Sequence, residues 1–259
     1  YFFFPGVPYW AVCALVAWRT NHRDFWRQPA FWWTSGFGFV LLAVDRGNAL
    51  TQSGAQWVAG SPATFLYWFK LIDKLLPLLC VVLPLVLFYV RYQRRYLDHF
   101  YGLRTRGVDL RPYLVLLALM VPLIAAASFQ PDFLREYPNY RRAGGAAFAA
   151  HRGVGEGWVA ALYELAYGSS FLSVELFFRG FLIFGLTRFL GREVVLPMAC
   201  TYCVLHFGKP LGEAVSSFFG GYLLGVISLR TGNIWGGVMI HLGIAWLMEA
   251  FAGLQVWLR

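Results

Sequence analysis

Apolar residues in this chain fall in long runs separated by short polar or basic connections. A membrane-spanning helix needs about 20 mostly apolar residues. Runs of that kind cover about 1–18, 31–44, 75–90, 113–128, 157–171, 172–190, 194–208, 211–229 and 233–258. The pair 157–171 and 172–190 reads either as one long tilted helix or as a helix broken near Gly168-Ser169-Ser170. The pattern therefore predicts an all-α fold, a polytopic membrane bundle of about eight transmembrane helices. No internal repeat or low-complexity tract interrupts it.

Composition agrees with the pattern. Of 259 residues, 59% are hydrophobic, 19% aromatic and 14% charged, with a mean hydropathy of +0.55. A soluble domain is about 45–50% apolar and about 25% charged. No polar stretch is long enough to build a second core, so residues 1–259 read as one integral membrane domain. The residues before 129 supply N-terminal helices without recognisable chemistry, and 157–250 hold the candidate core. The chain starts at Tyr1 without Met, which leads us to expect residues upstream. The apolar stretch 1–18 is followed, not preceded, by Arg19, Arg23 and Arg27, so it reads as a first membrane segment and not as a signal peptide.

The net charge of +9 is no nucleic-acid footprint. The basic residues lie between apolar runs, where cytoplasmic connections collect them. Arg91, Arg94, Arg95, Arg104, Arg106 and Arg111 crowd the connection 91–112 against Asp98 and Asp109. The plain reading is a topology signal; contact with anionic lipid head groups is the other. A second connection, 129–156, mixes arginines with Phe133, Tyr137, Tyr140 and Phe148, a composition suited to the membrane interface. It reads as an amphipathic connector or as a lid over the C-terminal half. Ser217, Gly221 and Gly225 repeat at steps of four, a small-residue ladder that lets another helix backbone approach.

Ionisable residues inside apolar runs cost several kcal/mol, so chains carry them mainly where they work or are paired. Here they are Glu175 with Arg179, His206 and His241, on three neighbouring spans. Glu175 and Arg179 are one helical turn apart in the favourable order for an ion pair. A structural pair that neutralises itself is the plain alternative. Two further histidines point instead to a shared polar site. A buried carboxylate can take a proton from water, one histidine can orient that water, and another can stabilise an oxyanion. Ser169, Ser170 and Ser173 lie near Glu175, but no Gly-x-Ser-x-Gly elbow is present. Cys200, Cys203 and His206 share much of one helix face, yet a zinc site needs four ligands, or three and a water. Cys13 and Cys80 sit in apolar runs as packing residues. Glu164 and Glu249 are two more buried carboxylates that could assist Glu175.

The order Glu-x-x-x-Arg, aromatic-x-x-x-His, His-x-x-x-small resembles the CPBP family of intramembrane proteases, which includes enzymes that cleave prenylated CAAX tails and many bacterial relatives. The resemblance covers about 157–250, through Phe178-Arg179-Gly180-Phe181, His206-Phe207-Gly208-Lys209-Pro210 and the approach Leu229-Arg230-Thr231-Gly232 to His241, with a weaker echo at Tyr101-Gly102-Leu103-Arg104. It implies an endopeptidase in which Glu175 and His206 activate water and His241 lines the oxyanion site, with Arg179 as charge partner. Such proteins have been described both as metal-dependent and as metal-free glutamic proteases; the second picture needs no cofactor and no metal. Two positions depart from the pattern. Val174 stands where the family commonly has a first glutamate, and Ala245 where an Asn or Asp follows the last histidine.

The expected function is hydrolysis of a peptide bond in a membrane-tethered peptide or protein, in a bacterial inner membrane, with the lipid bilayer and no nucleic acid as surroundings. A catalytically silent scaffold or immunity protein is the second reading, favoured by Val174 and Ala245. A transporter using the same polar groups is the third, disfavoured because no inverted repeat is recognisable.

Overall fold

The structure, a computed structural model, describes residues 2–21, 23–47, 49–104 and 109–258. Tyr1 and Arg106, both used above, lie outside them. Among the described residues every regular element is helical. The main ones are α1 (Phe3–Thr20), α2 (Pro29–Arg46), α3 (Ala49–Ala59), α4 (Pro62–Gln93), α5 (Arg111–Ala127), α6 (Glu156–Phe184), α7 (Val195–Val204), α8 (Leu211–Thr231) and α9 (Trp235–Trp257). Four of them, α4, α6, α8 and α9, are long and apolar enough to cross a membrane, and α5 is a shorter apolar helix.

One expectation about helix limits is revised, and one of two alternatives is selected. Helix α4 begins at Pro62, well before the apolar run at 75–90, and runs through Pro77. A proline removes one ladder hydrogen bond. Here the turns that follow, Leu78–Val82, widen to π geometry, which accommodates it. Helix α6 is continuous across Gly168, so the break does not occur. A Cβ on Gly168 would stand 2.7 Å from Leu242 Cδ1 and 3.4 Å from Trp246 Cζ2. Its smallness admits the neighbouring α9 side chains.

The chain divides into two compact units. The first comprises Tyr1–Gly47, Cys80–Val108 and Val174–Gly237. Its core joins Tyr9 and Cys13 of α1, Phe31 and Phe39 of α2, Leu85 of α4, Phe177, Phe181 and Leu182 of α6, and Met198 of α7. Small residues set the spacing. A Cβ on Gly225 of α8 would come within 2.6 Å of Met198 Cε and 2.8 Å of Val195 Cγ1. The ladder on α8 is thus the packing device its spacing predicts.

The connection after α4 is also built into this unit. Tyr101 and Gly102 both take positive φ, 45° and 80°. A Cβ on Gly102 would meet Phe184 Cε2 at 2.6 Å. The buried Tyr101 hydroxyl donates to Gln93 Oε1 (2.6 Å), and Gln93 Nε2 donates to Gly185 O (3.1 Å). The Gly102 carbonyl accepts from Ile234 N (3.1 Å), and Asn233 Nδ2 donates to Arg104 O (2.8 Å). The weak echo at Tyr101–Arg104 thus marks a clamp on the residues that lead into α9.

The second unit comprises Asn48–Leu79, Asp109–Ser173 and Val238–Arg259. The connection 129–156 folds into short helices at Pro131–Glu136, Asn139–Arg142 and Gly145–Arg152. Its aromatic residues turn inward. Phe133 and Tyr137 pack with Ile124 and Ala252, and Phe148 lies 4.3 Å from the Tyr67 ring, centroid to centroid. The Tyr67 hydroxyl donates to Val159 O (2.8 Å), fixing α4 against α6 inside this unit.

Candidate active site

Glu175 lies on α6, and the π-helical turns Leu176–Phe184 begin immediately after it. Wide turns of this kind are rare and cluster at functional sites. The helix period places Arg179 one turn on, and Arg179 Nη1 stands 2.9 Å from Glu175 Oε1. Both side chains are 0% exposed, so the pair is fully withdrawn from solvent. A buried pair is tolerated only when geometry repays desolvation, and here neighbouring helices pack around it on three sides.

The first is the Tyr202 ring of α7, 4.4 Å from Arg179 Cζ. The second is α8. A Cβ on Gly221 would stand 3.1 Å from Tyr202 Cδ1 and 3.8 Å from Arg179 Nη2, so the ladder glycine leaves room for both groups. The third is the first turn of α9, where a Cβ on Gly237 would stand 2.1 Å from Glu175 Oε2. The carboxylate therefore packs against the first turn of α9. Asn233 Oδ1 shapes that start by accepting from Trp235 N (2.8 Å).

His206 joins the same group through Tyr202. The two rings are 4.6 Å apart, and His206 Nδ1–H donates to the Tyr202 carbonyl (2.9 Å). A carbonyl can only accept, so Nδ1 carries a proton, and whenever the ring is neutral its lone pair is on Nε2. That is the tautomer a water-orienting histidine requires. The structure thus brings Glu175, Arg179 and His206 together inside the first unit, linked by Tyr202.

The other candidates belong to the second unit. His241 stacks on Phe171, with ring centroids 5.5 Å apart and 24° between planes. Glu164 and Glu249 line one open groove of about 510 Å³ with Tyr140, Arg141 and Trp246. Glu249 Oε1 accepts from the backbone (2.8 Å) and side-chain (3.0 Å) nitrogens of Asn139. The serines near Glu175 are turned back on their own helix: Ser169, Ser170 and Ser173 donate to the carbonyls three residues earlier at 2.7–2.8 Å. Cys203 Sγ–H donates to Ala214 O (3.3 Å). Among the described residues no three His, Cys, Asp or Glu side chains gather as metal ligands.

Sequence reasoning missed Gly237 and the double role of Tyr202. The Gly236-Gly237 pair, four residues before His241, was the available signal for the first.

Residues 157–247, which contain Glu175, Arg179, His206 and His241, match the family model described as type II CAAX prenyl endopeptidase Rce1-like. This match, over about a third of the chain, supports membership of the CPBP/CAAX protease family. The match points to a peptide-bond hydrolase, and together with the apolar helices it supports an integral membrane protein. No curated protein and no solved structure matches the chain.

Proposed function

We propose that this chain is a glutamate-dependent intramembrane endopeptidase of the CPBP/CAAX type in a bacterial inner membrane, acting on a membrane-tethered peptide or protein. The observation that carries the reading is the fully buried Glu175–Arg179 pair at 2.9 Å, inside the segment that matches the endopeptidase family. In this reading Glu175 takes a proton from water as the water oxygen adds to the scissile carbonyl carbon. His206 orients the water through Nε2, and His241 donates to the oxyanion that forms. The C–N bond then breaks, and the proton held by Glu175 passes to the leaving nitrogen. The products are a carboxyl group and an amine, and no cofactor enters. Arg179 holds the carboxylate in register, and Glu164 and Glu249 are candidates to assist.

The test is cleavage of a membrane-tethered substrate by purified variants. His206→Ala abolishes cleavage with the fold intact, and His241→Ala costs about 10²–10³ in rate, or about 2.7–4 kcal/mol. Removing one partner of a buried pair costs about 3–5 kcal/mol. Glu175→Gln is therefore read beside Glu175→Gln/Arg179→Met, which leaves no orphaned charge and is expected to be folded and inactive. Undiminished processing in cells with Glu175, His206 and His241 all replaced would favour the second reading, a silent membrane scaffold. Val174 and Ala245 are the residues that support that alternative.

A further inference from the structure

A cluster of four arginines stands outside the candidate site, at the end of the apolar helix α4. Arg91, Arg94 and Arg95 follow or close that helix, and Arg188 comes from the turn after α6. All four are exposed. Within the first unit the fold brings Arg188 to the ring that Arg95 also covers, and Arg91 and Arg94 lie beside them in the chain. Arg91 Cζ lies 5.1 Å from the Tyr92 ring, and Arg95 Cζ lies 4.8 Å from the Tyr96 ring. Arg188 Cζ lies 4.4 Å from that same Tyr96 ring and 4.4 Å from Phe189. Tyr92 and Tyr96 are themselves 40% and 53% exposed.

The charge on this surface is not balanced from within. Among the described residues none of the four guanidinium groups forms an ion pair. The nearby acids are engaged elsewhere: Asp98 with Arg104 at 2.6 Å, and Glu193 with Arg192 at 3.4 Å. Two guanidinium groups that share one tyrosine ring repel each other, and an anion between them would turn that repulsion into attraction. Guanidinium forks match phosphate oxygens two at a time. Exposed tyrosines beside the end of an apolar helix belong at head-group depth, where a ring meets glycerol and the first acyl carbons. A soluble phosphate uses only the first feature; a phospholipid uses both.

We propose that Arg91, Arg94, Arg95 and Arg188, with Tyr92 and Tyr96, form a binding site for the phosphate-bearing head group of an anionic phospholipid. The basic end of α4 then faces the leaflet richest in such lipids. The site is independent of the proteolytic reading: its residues touch neither Glu175 nor His206.

The experiment uses the full chain purified in neutral detergent and counts bound lipid by mass spectrometry. Three additives are compared at equal concentration: a phosphatidylglycerol, a phosphatidylcholine and soluble glycerol phosphate. The wild-type chain is expected to retain the phosphatidylglycerol at least tenfold over the phosphatidylcholine. Arg94→Gln/Arg95→Gln/Arg188→Gln is expected to cut that retention at least fivefold, and Tyr96→Leu to cut it severalfold with every charge kept. An equal loss of charge elsewhere, Arg135→Gln/Arg141→Gln/Arg152→Gln, is expected to leave it unchanged. Should the arginine triple variant fail to fold, raising the salt on the wild type to about 1 M, where screening acts within about 3 Å, must release the anionic lipid. Equal retention of both lipids, an equal effect of the control triple variant, or no response to salt would each overturn the proposal. Displacement of the lipid by equimolar glycerol phosphate would overturn the lipid assignment in favour of a plain phosphate site.

Discussion

Glu175 Oε2 occupies the space that a side chain on Gly237 would need: an added Cβ would stand 2.1 Å from it. The carboxylate is held between Arg179 on its own helix and the backbone of α9's first turn. Its position thus depends on a residue with no side chain at all.

Gly237→Ala decides between two opposing effects. Alanine in a helix gains about 0.8–1.0 kcal/mol over glycine in propensity. Overpacking costs about 1–3 kcal/mol, and here the crowded atom is a buried carboxylate oxygen. We expect the clash to win, with a lower thermal midpoint and a loss of roughly 10–100-fold in cleavage as Glu175 is pushed from Arg179. Wild-type activity with a raised midpoint would show that the carboxylate does not rest there.

Tyr202 is expected to act through its ring and its backbone, not its hydroxyl. Tyr202→Phe keeps the ring over Arg179 and the carbonyl that orients His206, and should stay within about tenfold of wild type. Tyr202→Leu keeps the carbonyl but loses a desolvated cation–π contact worth about 2 kcal/mol, or roughly 30-fold. Kinetics of the two variants side by side test this. A leucine variant as active as the phenylalanine one would remove the ring from the argument.

Ala245 is 1% exposed, so the position where relatives carry Asn or Asp is closed in this chain. Restoring the amide by Ala245→Asn therefore overpacks the core at about 1–3 kcal/mol. The expected outcome is a midpoint several degrees lower and no gain in cleavage. A more active and equally stable variant would show that room for the oxyanion donor exists.

Features fixed by local geometry were legible in the sequence. The Glu175–Arg179 pair follows from the helix period, and the α8 ladder from its steps of four. The start of α4 was not, and the choice between one helix and two at α6 stayed open, because Pro77 and Gly168 act in a membrane bundle differently from the way they act in water. Proline is absorbed by a π turn, and glycine serves close helix approach. The partner of Gly237 and the links through Tyr202 were invisible because they are tertiary: the Gly236-Gly237 pair marks a close approach, but nothing within four residues says which carboxylate will lie on it. The inward packing of Phe133, Tyr137 and Phe148 was hidden for the same reason, since aromatic and basic composition alone equally describes an interfacial surface.

The clamp before α9 should give the fold a pH dependence. His99 Nδ1 accepts from Gly102 N–H at 2.8 Å, so the clamp needs the neutral ring. Burial, and then the Arg104 guanidinium, push the His99 pKa below its usual 6.5, against an opposing pull from Asp98. As pH falls through about 6.5 the unfolded chain takes up this proton before the folded one, and stability declines. The decline ends once the pH has passed below the depressed folded pKa and both states are protonated. Above about pH 7 the contribution is complete and flat. Thermal midpoints from pH 8 to 5 should therefore fall on the acid side for the wild type. His99→Gln, which cannot titrate, should have a lower midpoint at pH 8 and a shallower fall below pH 7. The difference between the two curves isolates this histidine from the carboxylates that titrate lower. Parallel curves would mean that His99 does not report on the clamp, and that the Tyr101–Gly102 turn is held by its contacts with Gln93 and Ile234 alone.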